Sequence, residues 1–244
     1  MQRLDGGRGA VSWDQSADAW IASQGAHGDF ARQYVLDTPM LARVRAFAPR
    51  RLLDLGCGEG RFCRRLAGDV EELTGLDPTT TLIARARALG GARFVEGRAE
   101  RMPFADDSFD MVVSYLTLLD IGEIDAALDE VRRVLRPGGR VLIANLTGFA
   151  TAANGTCGTW SSRPDGSRDM TVRRYLECRG EMVEWNGVSI ENWHRPLSFY
   201  MQAFLSRGFT LTHFDEPACT DPAHPKAEAY DNAPYHLMME WQAR

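Results

Sequence analysis

Two aspartates and three glycines are the residues of this chain best suited to hold a small charged ligand. They run Asp54-Leu55-Gly56-Cys57-Gly58-Glu59-Gly60, followed by Asp77. The apolar run Leu52–Leu55 ends at the glycines, and Arg61 to Ala67 then reads as a helix. That is the pattern of a buried strand turning sharply into a helix N-terminus. Glycine is needed where a side chain would clash in the turn or hold a ligand off the backbone. Backbone N–H groups freed there, with the positive end of the helix dipole, are expected to favour an anionic or carboxylate-bearing ligand. Asp54, two residues before the first glycine, is placed to accept a hydrogen bond from a ligand ammonium, directly or through water. Asp77 lies 17 residues beyond Gly60, where an acid can accept hydrogen bonds from both ribose hydroxyls. The spacing Asp-x-Gly-x-Gly-x-Gly differs from the G-x-G-x-x-G of hydride-transfer enzymes, which argues against a nicotinamide dehydrogenase. A nucleotide-like small molecule is the expected ligand.

The elements that must position these residues alternate regularly. Residues 1–10 are rich in Gly and Arg and are expected to be mobile. Trp13 to Ala48 reads as helical, bent or broken around Pro39. Strands are expected at 51–55, 72–76, 93–96, 109–114 and 140–146, and helices at 61–67, 79–89 and 124–135. This alternation predicts the α/β class, a mainly parallel sheet flanked by helices, with ligands beyond the C-terminal strand ends. Residues 147–195 break the rhythm, with strand-like runs at 170–178 and 181–190, and read as an inserted lid after the fifth strand. A helix at 196–207 and strands at 209–214 and 235–241 complete seven strands. The expected layout is one domain over 1–244: a helical cap (1–48), a ligand-binding core (49–146), the lid (147–195) and C-terminal core elements (196–244).

Composition narrows the class. Of the 244 residues, 44% are hydrophobic and 25% charged, as in an ordinary globular protein. A net charge of −5 argues against nucleic acid as the main partner. Lys226 is the sole lysine, and the cluster Arg85, Arg87, Arg93, Arg98 and Arg101 is explained by a solvated, ion-paired surface. Five cysteines without a C-x-x-C pair or zinc spacing read as reduced thiols of a cytoplasmic protein with no metal site. No apolar run approaches the ~20 residues of a membrane span, and no signal-peptide stretch stands at 1–10.

Five motifs in order carry a family resemblance. They are Asp54-Leu55-Gly56-Cys57-Gly58-Glu59-Gly60, Gly75-Leu76-Asp77, Arg101-Met102-Pro103-Phe104, Ser108-Phe109-Asp110-Met111-Val112 and Val134-Leu135-Arg136-Pro137-Gly138-Gly139-Arg140. Together they resemble the class I S-adenosylmethionine-dependent methyltransferases that act on small molecules, strongly over residues 50–146. The resemblance implies a Rossmann-like fold and S-adenosylmethionine as cofactor. It implies that the backbone of Gly56, Cys57, Gly58 and Gly60 holds the methionine moiety, with Asp54 toward its ammonium. It places Asp77 at the ribose, Pro78 or Thr79 beside the adenine, Ala99 and Glu100 at the adenine edge, and Ser114 beneath the methyl donor. Arg98 stands where relatives often carry an aspartate, which passes the adenine amino group to Glu100 or a backbone carbonyl. Relatives often show paired histidines where this chain has Leu118-Leu119.

Methyl transfer asks chiefly for alignment of the acceptor behind the methyl group, with a base where the acceptor must lose a proton. His194, at the end of the insertion, is the first candidate base, then His27 in the cap, then Asp120 beyond the fourth strand. A histidine bracing the lid is the competing reading of His194. Trp20, Tyr34, Tyr115 and Trp193 are candidates to line an acceptor pocket, since aromatic rings suit a planar substrate and shield a sulfonium. Core packing accounts for any one of them equally well. The expected function is S-adenosylmethionine-dependent methylation of a small metabolite, with O-methylation favoured over N-methylation. An RNA-modifying methyltransferase and a non-catalytic cofactor binder are the alternatives, and a homodimer is left open.

Overall fold

Leu52 to Leu55 are buried at four successive positions, and Phe109 to Tyr115 at seven, so these strands are covered on both faces. Helices must then flank the sheet on each side. The computed structural model describes residues 8–154, 159–163, 168–233 and 235–244. In chain order the helices and strands are α1 (Arg8–Gln24), α2 (Asp37–Phe47), β1 (Arg51–Leu55), α3 (Arg61–Leu66), β2 (Glu72–Asp77), α4 (Thr80–Leu89), β3 (Arg93–Glu96), β4 (Phe109–Tyr115), α5 (Ile124–Val134) and β5 (Leu135–Leu146). There follow α6 (Gly148–Ala153), β6 (Thr159–Ser162), β7 (Arg168–Thr171), β8 (Arg179–Trp185), β9 (Val188–His194), α7 (Leu197–Leu205), β10 (Phe209–Asp215), α8 (Ala227–Asp231) and β11 (His236–Ala243).

Seven strands form the main sheet in the order β10-β11-β5-β4-β1-β2-β3. Strand β11 runs antiparallel to both its neighbours, and the pairs among β1 to β5 are parallel. One apolar layer packs around α5 and α7. The other packs around α2, α3 and α4. This is the expected Rossmann-like α/β sheet. Register aligns Leu55 with Leu76 and Ser114, so β1, β2 and β4 end together and their loops share one side of the sheet.

Three local expectations are corrected. The cap is not broken at Pro39: α1 ends at Gln24, a π-helical turn spans Arg32–Leu36, and Pro39 sits in the first turn of α2. The chain is helical on both sides of Pro39, and the irregular π turn directly before it is where the helix accommodates the missing N–H. The strand expected over 170–178 stops at Thr171, and the chain then turns through Arg174 at φ 51. The run 181–190 is not one strand but part of a hairpin, β8–β9, reversed at Asn186 (φ 47) and Gly187 (φ 83). Both residues tolerate left-handed backbone, the requirement of a tight hairpin turn. Of the stretch expected to be mobile, 1–7 lie outside the described residues, while Arg8 to Ala10 open α1. Among the described residues no helix is long and apolar enough to cross a membrane.

Two polar anchors fix α1 over the sheet. Ser16 Oγ donates to the carbonyl of Ser189 on β9 at 3.0 Å and accepts the Ser189 N–H at 3.0 Å. Asp14 accepts the N–H of Thr81 on α4 at 3.3 Å. Below them, Arg61 clamps Asp37 with two guanidinium nitrogens and gives its Nε–H to the carbonyl of His27 at 2.9 Å. Tyr115 donates its hydroxyl to the same Asp37 at 2.9 Å. Removing one partner of a buried ion pair leaves the other charge stranded. Asp37→Ala is therefore expected to cost about 3–5 kcal/mol of stability, read as a lowered melting midpoint by circular dichroism.

Candidate active site

The loops after β1, β2, β3 and β4 open on one cleft, roofed by residues from α1 and β9. Its empty space, with the open mouth and the solvent in it included, is about 1420 Å³. The floor is the turn after β1. Gly56 (φ 73) and Gly58 (φ 55) hold left-handed backbone. A side chain at Gly56 would overlap that of Thr117, and one at Gly58 would come within 3.2 Å of the Trp20 ring. Opposite, Leu116 leaves β4 at φ 58, a strained conformation for a bulky residue of the kind that concentrates at functional sites.

Asp77 ties two turns together. Its Oδ2 accepts the Gly58 N–H and its Oδ1 the Thr79 N–H, each at 2.9 Å. Burial pushes its carboxyl up, and those two hydrogen bonds pull it back. Gly56 and Cys57 both give their N–H to the Leu76 carbonyl, at 2.7 and 3.0 Å. The turn was expected to offer free amides; at Gly56, Cys57 and Gly58 they are spent inside the protein. Asp54 is buried, accepts the Cys63 thiol at 3.3 Å, and is pushed up to about 7 by burial. Burial also pushes the Cys57 and Cys63 thiols up, which makes them packing groups and not nucleophiles.

Asp120, mostly buried in a short 3-10 turn (Leu118–Asp120), faces the cleft. Burial raises its carboxyl well above the usual range and Asp77 adds to the rise, while Arg32 and a hydrogen bond from Asn192 oppose it. Asn192 Nδ2 donates to Asp120 Oδ1 at 2.5 Å. Arg195, buried, donates to the carbonyls of Leu118, Ile121 and Gly122 at 2.6–3.2 Å. The end of the β8–β9 hairpin thus fixes the loop that carries Asp120.

The cleft gathers Asp54, Gly56, Cys57, Gly58, Asp77, Pro78, Ala99, Glu100, Asp120, Trp20, Tyr115 and Trp193 from the sequence-based candidates. Glu100 is engaged by Arg98 at 3.0 Å. Five candidates do not face it. Gly60 caps α3 and abuts the Phe94 ring. Ser114 is buried within the sheet. Tyr34 stacks on Phe30 and His224, with ring centroids 5.2 and 4.9 Å away. His27 has an exposed side chain, and only its carbonyl is used, by Arg61. His194, the first candidate base, is buried with both ring nitrogens engaged. Nδ1 is 2.7 Å from Thr151 Oγ1 and Nε2 is 2.8 Å from the Tyr175 carbonyl. Burial holds this ring below the ordinary histidine range. It braces the hairpin.

Sequence reasoning passed over Trp13, Arg32, Thr117, Glu123 and Glu191, all in the cleft wall. Trp13 was legible, since it lies seven residues before Trp20 on the same helix face. The others reach the cleft through tertiary contacts.

A family model described as a methyltransferase domain matches residues 53–143. A ubiquinone/menaquinone biosynthesis C-methyltransferase of Rubrivivax gelatinosus is 30% identical over 179 residues, 64% of this chain and 70% of that protein. The chain belongs to the S-adenosylmethionine-dependent methyltransferases. A solved S-adenosylmethionine-dependent methyltransferase from Mesorhizobium loti shares the fold at a TM-score of 0.74 and 26% identity, covering 89% of this chain and 100% of that one. A malonyl-[acyl-carrier protein] O-methyltransferase of Erwinia pyrifoliae is 34% identical over 142 residues, 58% of this chain and 49% of that protein. The chain spans about half to two thirds of the length of the curated enzymes of that name.

This methyltransferase's cleft suits its cofactor. The sulfonium and ammonium of S-adenosylmethionine are cations, and the walls carry buried carboxyl groups at Asp54 and Asp77. Asp54 titrates near 7 in the folded chain against an ordinary 3.8. Its proton is therefore held more tightly folded than unfolded. This favours the fold below about pH 4 and is lost as pH rises through about 7. Asp54→Asn is expected to flatten the fall in melting midpoint across that window, measured by thermal melts at a series of pH values.

Proposed function

We propose that this methyltransferase transfers a methyl group to an oxygen of a small-molecule acceptor. The acceptor would be held between the post-β4 loop, α1 and the β8–β9 hairpin. The observation that carries the reading is the shared cleft: the glycine turn and Asp77 stand on one side, and Asp120 among Trp20, Tyr115 and Trp193 on the other. Helix α1 and strand β9 then act as the roof, contributing Trp13 and Trp20 from α1 and Glu191 and Trp193 from β9.

In this reading Asp54 meets the cofactor's ammonium and Asp77 its ribose hydroxyls. The carboxylate oxygens of Asp77 retain lone pairs beyond the two backbone hydrogen bonds. Pro78, Ala99 and Glu100 border the adenine. Bound S-adenosylmethionine supplies an electrophilic methyl group, already activated for displacement. The protein's work is to orient the acceptor and to take its proton. Asp120 is suited to the second task, because a carboxyl raised above the usual range is a stronger base than an ordinary one. The Trp193 indole N–H, buried and without a hydrogen-bond partner among the described residues, supplies a donor for an acceptor oxygen. The aromatic walls exclude water from the displacement. A net charge of −5 and this roofed cleft favour a small acceptor over RNA.

Two outcomes test the assignment. Asp77→Ala is expected to weaken S-adenosylmethionine binding at least about tenfold in calorimetry, the scale of a lost charge-assisted hydrogen bond. Asp120→Asn is expected to lower kcat by about a hundredfold while leaving cofactor affinity unchanged. Product is followed by mass spectrometry on hydroxyl and carboxyl acceptors. In the wild type, kcat/KM should rise with pH as the raised Asp120 carboxyl ionises, and the variant should lose that rise.

A further inference from the structure

The turn after β1 has no backbone donor for a carboxylate at Gly56, Cys57 or Gly58, because Leu76 and Asp77 take all three N–H groups. Yet the amino-acid end of the cofactor brings an anion as well as a cation. Six carboxyl-bearing residues line the cleft: Asp54, Asp77, Glu100, Asp120, Glu123 and Glu191. An anion placed among them needs a cation with donors to spare.

Three arginines line the same walls. Arg61 is committed to Asp37 and the His27 carbonyl. Arg98 is paired with Glu100. Arg32 gives its Nη1–H to Asp29 at 2.6 Å, and that aspartate is itself 40% exposed. A guanidinium carries five N–H donors in a planar fork that matches a carboxylate. The Arg32 guanidinium lies 5.9 Å from the Trp20 ring centroid and 5.9 Å from that of Tyr115. Trp20 overhangs Gly58, so Arg32 stands beside the glycine turn. Its carrier is the π-helical turn Arg32–Leu36, a rare geometry frequently found at functional sites.

We infer that Arg32 binds the carboxylate at the amino-acid end of S-adenosylmethionine, opposite the ammonium partner Asp54. The inference rests on this cleft being the cofactor site. The test is calorimetry on the full chain with two probes, S-adenosylhomocysteine and 5′-methylthioadenosine. The second keeps the adenine, ribose and thioether but lacks the amino acid. Arg32→Gln should weaken S-adenosylhomocysteine binding by about tenfold to a hundredfold and leave 5′-methylthioadenosine within about twofold. Arg32→Lys, which keeps the charge and loses the fork, should recover part of the loss. Unchanged binding of S-adenosylhomocysteine to Arg32→Gln would overturn the assignment. So would a parallel loss for both probes, since Arg32 would then act only through packing of the cap. A wild-type chain that binds neither probe would overturn the cofactor reading and this inference with it.

Discussion

One buried carboxylate organises the cleft. Asp77 accepts an N–H from Gly58 in the turn after β1 and from Thr79 in the turn after β2, each at 2.9 Å. Two strand-to-helix turns are thereby held at a fixed separation, and the left-handed backbone at Gly58 gains a partner for its amide. Burial raises the cost of the charge, and the two N–H groups offset it. Under the proposed assignment the same side chain is both a structural tie and the seat of the cofactor's ribose diol. A binding defect in an Asp77 variant would combine both roles.

The rest of the site is built outward from that tie through long-range polar contacts. Arg61 follows the glycine turn directly and reaches back to Asp37 in the cap, and Tyr115 at the end of β4 joins the same carboxylate. Core, cap and cleft wall share one buried charge pair. On the far side, Arg195 and Asn192 hold the post-β4 loop that carries Asp120. Both come from the end of the β8–β9 hairpin and its exit. Variation in that hairpin would move the group proposed to take the acceptor's proton, without disturbing the floor where the cofactor is proposed to sit.

Legibility in the sequence follows from how local each determinant is. The sheet, its flanking helices and the glycine turn are written in short-range patterns: buried runs, glycines at a strand end and an acid after the next strand. The reversal at Asn186-Gly187 was equally local, an Asn-Gly pair between Trp185 and Val188 that is itself a hairpin signal. The choice between base and brace at His194 was not legible, because its position at the end of the insertion says nothing about which way the ring points. Thr151 and the Tyr175 carbonyl decide that, and neither is near it in sequence. Tyr34 turns away for a similar reason, taken up by Phe30 and His224. The expected free amides failed on a subtler point: a Gly-rich turn frees N–H groups only if no carbonyl lies beneath it, and Leu76 lies there.

The central claim is that the cleft passes a methyl group from S-adenosylmethionine to a small acceptor. The most direct measurement supplies the full chain with S-adenosylmethionine carrying a tritiated methyl group, together with separated small-molecule, RNA and protein fractions of a cell extract. The account predicts label in the small-molecule fraction, dependent on the Asp120 carboxylate. Label in RNA alone, or in no fraction while the cofactor binds, would contradict it.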